Sequence, residues 1–267
     1  IRKKDGLPQV NHPFDVSFST RYNSEFWDMV EIFESMEIWN GATPFAAGTI
    51  NAKAFKKWLS LLDEGKRLTA TTGSDTHNIY GDDYFGMTEW LDWLMDIVMK
   101  HPEIYPVHMN ENVAYLTWLY NKVWPRLLSW VEQSNTPSTI HNYVYTNGKN
   151  QPQEILQAIR EGHSFISNGP LVTAEVNGVS YGEKAVLKDR TGTLSVHVFS
   201  KKPINHLWMY TGADKKVELC AKADAAEGGF MYDIAADELD FGDAAWVLFV
   251  ADGGENNLAI SNPILFA

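Results

Sequence analysis

Cysteine is almost absent: Cys220 is the only one in 267 residues. A lone thiol excludes an intrachain disulfide framework and any multi-cysteine zinc site. Long apolar runs are missing too, since none approaches the ~20 residues that cross a bilayer as a helix. The sequence does not open on a signal-peptide pattern, and beginning at Ile1 it reads as part of a longer or processed protein. Basic residues are scarce: 22 Lys and Arg against 34 Asp and Glu leave a net charge of −12, and the longest basic cluster is "RKK" at 2–4. Such a chain lacks the footprint that phosphate-backbone binding needs, which argues against nucleic acid as a partner. Repeats, low-complexity tracts and long linkers are also lacking.

What is present suits a packed core. Hydrophobic residues make up 45 % and charged residues 21 %, enough for one large or two ordinary domains. The first eighty residues alternate between two periodicities. "PQVNHP" reads as a strand end closed by Pro13. "NSEFWDMVEIFE" has Phe26, Val30 and Phe33 near helical spacing, with Ser24 as N-cap. "MEIWN" is a short strand. "NAKAFKKWLSLLDEG" spaces Phe55, Trp58, Leu59 and Leu62 for a helix, with Asn51 to cap it and Gly65 to stop it. "RLTATT" is a further strand running into "TGSDTHN" at 72–78. This order predicts an α/β fold with a parallel sheet or barrel.

Residues 84–135 differ. Two aromatic-rich helical patterns, the second kinked at Pro125, predict a helical hairpin inserted into the first domain, either packed on it or walling a pocket. A helix from Pro152 to Glu161 follows, stopped by Gly162. From 171 onward, short alternating runs such as "LVTAEV", "GTLSVHVFS" and "AAWVLFVADG" predict a C-terminal antiparallel β-sandwich. The expected division is thus 1–170 and 171–267.

Chemistry is concentrated where strands end. Asp75 and His77 put a carboxylate oxygen and an imidazole nitrogen two residues apart behind Gly73, and His12 ends a different strand of the same unit. Ser74 is placed to support them by hydrogen bonding. Glu37 and Asn40 in "MEIWN", and His141 ahead of "NYVYT", are candidates to face substrate. Each alone has a plain structural alternative: an Asp-capped turn, a strand-end carboxylate paired with a lysine, or a satisfied polar histidine. His163 lies just past a helix end, where the dipole favours it.

Together, "VNHP" (10–13), "MEIWNG" (36–41), "TGSDTHN" (72–78), "QEILQAIREGHSFISNGPLVTAEVNGVSYG" (153–182) and "ISNPILF" (260–266) resemble the CehA/McbA-like branch of the PHP-superfamily metallohydrolases. The resemblance covers 9–78 and 141–267. It implies the second half of a distorted (β/α) barrel, with two or three Zn, Mn or Fe ions in a complete domain. It also implies hydrolysis of a small-molecule phosphoester, carboxylic ester or carbamate, and a periplasmic or secreted location. Carried over by motif, His12, Asp75 and His77 are metal ligands and the catalytic set. The family's opening His-x-His motif has no counterpart here, so a preceding segment or a separate polypeptide is expected to supply the other ligands. The alternative is a glycan- or protein-binding β-sandwich on an inactive scaffold, for which ten tryptophans give some reason.

Overall fold

The structure, a computed structural model, describes residues 5–14, 22, 24–41, 45–74, 140–148, 150–219, 223–254 and 257–267. Residues 1–73 and 140–267 form one compact unit and 74–139 a second. The expected helical insertion at about 84–135 lies outside the described residues, as do Asp75 and His77.

Three short strands open the first unit: β1 (Gln9–Val10), β2 (Ser35–Asn40) and β3 (Thr69–Gly73). They form a parallel sheet in that order. Between β1 and β2, helix α1 (Ser24–Asp28) is followed by a 3-10 turn at Val30–Ile32, so the expected single helix is two pieces. Between β2 and β3 runs α2 (Ile50–Asp63), which buries Ala54, Trp58, Leu59, Leu61 and Leu62. The Trp58 indole donates to Leu68 O at 2.7 Å, fixing the helix to the start of β3. Gly65, at φ 78°, ends α2 as expected. Its cap corrects the sequence reading. Thr49, not Asn51, accepts the Ala52 amide, at 3.3 Å. Asn51 turns to β2, where Oδ1 accepts from Asn40 N at 2.8 Å and Nδ2 donates to Asn40 O at 3.0 Å.

Two antiparallel sheets follow. The larger takes β4 (His141–Val144), β5 (Ser164–Ser167), β9 (His206–Gly212), β10 (Lys215–Glu218), β13 (Trp246–Asp252) and β14 (Leu258–Ser261) in the order β10-β9-β13-β14-β5-β4. β15 (Ile264–Phe266) pairs with β13 and, in parallel, with β7 (Lys184–Ala185). The smaller orders β11 (Ala223–Ala226), β12 (Gly229–Asp240), β8 (Thr191–Ser200) and β6 (Leu171–Val176) as β11-β12-β8-β6. Helix α3 (Pro152–Arg160) connects β4 to β5, and Arg160 Nε donates to Glu34 Oε2 at 2.7 Å.

The larger sheet is the middle layer. Strand side chains alternate between faces, and on β13 Trp246, Leu248 and Val250 enter one core with Trp58, Met36 and Ile38. Val247, Phe249 and Ala251 enter another with Val172, Val196 and Val198 of the smaller sheet. A strand buried on both faces has to be apolar throughout, hence "WVLFVA".

This arrangement overturns the expected (β/α) barrel. The described residues hold fifteen strands against three α-helices, and no barrel closes among them. The reason lies at the outer edge of β3. Asn262 Oδ1 accepts from Ala70 N at 2.7 Å and its Nδ2 donates to Ala70 O at 3.2 Å. Asn142 does the same for Thr72, at 3.0 and 2.8 Å. Two side-chain amides thus occupy the positions a fourth parallel strand would use, and the sheet stops at three.

Candidate functional site

Alternation divides the parallel sheet into unlike faces. Val10, Met36, Ile38 and Ala70 point into the core, which puts Gln9, Ser35, Glu37, Thr69 and Thr71 on the other side. Ser35, Glu37, Thr69 and Thr71 are nonetheless buried. Thr71 Oγ1 and Ser35 Oγ both donate to Gln9 Oε1, at 2.9 and 3.3 Å. The sequence carried this signal in "S-x-E" and "T-x-T-x-G", polar residues at period two inside strands.

Where these strands end, the candidates gather. His12 follows β1 with φ at 29°, a left-handed conformation unusual for a residue with a Cβ. Its backbone N–H donates to Glu37 Oε2 at 2.5 Å. The other carboxylate oxygen, Oε1, faces Gly73: a Cβ there would stand 3.1 Å from it. One buried carboxylate therefore spans the ends of all three strands, and a glycine at 73 leaves it room.

The His12 ring is unusual among the described residues. Its Nδ1 is buried and has no hydrogen-bond partner, the only such side-chain atom among them. Leaving such a group unsatisfied costs about 1–3 kcal/mol. An orphaned imidazole nitrogen is what a divalent-cation ligand presents, so His12 fits that group. Asp75 and His77 follow Ser74 in sequence and lie outside the described residues. Among the described residues, no three His, Cys, Asp or Glu side chains converge as a metal site.

No protein-family model, curated protein or solved structure matches the chain. The resemblance to CehA/McbA-like hydrolases accordingly stands on the motifs quoted above.

Of the other candidates, Ser74 is half-buried at the exit of β3. Asn40 is buried at the end of β2, its backbone clipped by Asn51. His141 is exposed at the start of β4, its ring 6.1 Å from that of Tyr143. It adjoins Asn142, whose amide holds Thr72, so its backbone lies near the exit of β3. His163 lies away from these residues, with Nδ1 3.6 Å from Glu161 and Nε2 3.9 Å from Glu183. No helix among the described residues is long and apolar enough to cross a membrane.

Proposed function

We propose that this chain is a metal-dependent hydrolase of ester-type bonds, with a small phosphoester as default substrate and carboxylic ester or carbamate as variants. His12, Asp75 and His77 would hold the divalent ion, Zn, Mn or Fe. The observation that carries this reading is the buried, unpartnered Nδ1 of His12, on a strained backbone at the shared end of three parallel strands. Strain of this kind costs on the order of 1–3 kcal/mol and persists where the surroundings impose it. Here Glu37 imposes it by holding the His12 amide. Once bound, the ion supplies water activation and polarisation of the scissile P=O or C=O group. The chain's own contribution is positional. Glu37 fixes where His12 stands, and Gly73 gives that carboxylate space while sending the chain on to Asp75 and His77.

Elemental mass spectrometry of the purified protein tests this reading. About one equivalent of Zn, Mn or Fe per chain is expected, lost in His12→Ala and in the Asp75→Ala/His77→Ala double variant. Hydrolysis of p-nitrophenyl phosphate should vanish with a chelator and return on reloading. A folded wild type that holds no metal after reloading would sink the reading and favour the binding-module alternative.

A further inference from the structure

Away from that site, the outward face of the smaller sheet carries an unassigned constellation. Ser195 and His197 are two apart on β8 and so share a face. The register of β12 sets Asp233 directly across from His197, and Ala235 across from Ser195. Ser195 Oγ lies 2.9 Å from His197 Nε2, and His197 Nδ1 lies 2.5 Å from Asp233 Oδ1. With the carboxylate accepting from Nδ1–H, Nε2 is left as the acceptor for the serine hydroxyl. Each contact is made through the ring nitrogen that a Ser-His-Asp nucleophile requires.

We propose that Ser195 is a site of covalent acylation, activated by His197 and Asp233, for esters with good leaving groups and small apolar acyl chains. Access is open: His197 and Asp233 are more than half exposed, and the facing residue on β12 is only an alanine. An apolar row suits such a substrate. Leu171, Phe199 and Met231 are registered across β6, β8 and β12, one step beyond His197 on the same face. In the reaction, Ser195 Oγ bonds to the acyl carbon and the bond from that carbon to the leaving oxygen breaks. The hydroxyl proton passes to Nε2 and from there to the departing phenolate or alkoxide.

The same geometry limits turnover. β8 is an inner strand, its amides committed to ladders with β12 on one side and β6 on the other, so the strand that carries Ser195 offers no free N–H pair of its own to a developing oxyanion. Acylation of Ser195 should therefore be stoichiometric, with slow release. This activity is independent of the metal reading above, and a chelator separates the two.

The test treats the full chain with p-nitrophenyl acetate in the presence of chelator and maps the acetylated peptides by mass spectrometry. One acetyl group on Ser195 is expected, formed about a hundredfold more slowly in His197→Ala, as loss of a general base requires, and slowed in Asp233→Asn. His197 and Asp233 are exposed, so these variants should fold, which circular dichroism checks. An unmodified Ser195 in the wild type, or equal labelling in His197→Ala, would reduce the trio to a cross-strand pair and overturn the proposal.

Discussion

Tyr181 illustrates how much one buried polar atom can be made to do. Its side chain is 1 % exposed, and its hydroxyl donates to Val172 O at 3.1 Å. Burial, and secondarily the nearby Tyr145, holds its pKa well above the ordinary 10. The sign follows directly: in the unfolded chain the phenol ionises near 10, while in the fold it stays protonated. Its contribution is complete below about pH 10 and is lost as pH rises from there toward the folded value. Urea unfolding of wild type and Tyr181→Phe, compared at neutral pH and above pH ~10, should show the wild type's advantage of about 1 kcal/mol shrinking in alkali. A phenol that titrated near 10 in the folded protein would contradict this. His12 is the converse case, a buried polar atom with no protein partner among the described residues, and that contrast makes it stand out.

At the level of elements, the asparagines carry the argument. Asn262 is fully buried and, besides holding both backbone groups of Ala70, donates to Ser164 O and Oγ at 3.0 Å each. Asn262→Ala would strand the Ala70 amide and carbonyl, and a loss of about 3 kcal/mol in chemical denaturation is expected. Asn142→Ala should cost less, because that site is only part-buried.

These two side chains also mark where sequence reading reached its limit. α2, its Gly65 stop, and α3 with Gly162 behind it were legible, because periodicity and caps are local signals. An asparagine 192 residues from the strand it completes leaves no local trace. Without it, three parallel strands read as part of a barrel. Asn51 was misread for a related reason: near a helix start it looks like a cap, yet its partner is the end of β2. The site was legible in part. His12 stood out by motif, whereas the hold that Glu37 has on it depends on a register the sequence does not spell out. Ser195 and His197 are visible as S-x-H in an alternating strand, but Asp233 joins them only through pairing.

For the whole unit, the decisive feature is the shared middle sheet. Because β13 contributes alternate side chains to both cores, neither core is complete without the other. Asp63 adds a polar tie, accepting from the Trp246 indole at 3.1 Å and from Ala213 N at 2.9 Å. Trp58→Ala in one core and Phe249→Ala in the other should each cost about 3–5 kcal/mol. Both are expected to shift one transition that covers residues 1–73 and 140–267. Hydrogen exchange resolved by peptide checks this; two separately protected halves would show that the cores open independently.

The Asn262 plug has a further consequence, in time rather than space. As the chain emerges from the ribosome, β1, β2 and β3 are all available after residue 73, yet the Thr72 part of β3's outer edge stays bare until residue 142 has been made, and the Ala70 part until residue 262. During that interval the nascent sheet exposes unpaired amides of the kind that recruit foreign strands. The N-terminal segment should therefore depend on chaperone shielding during synthesis more than its short, locally connected elements suggest.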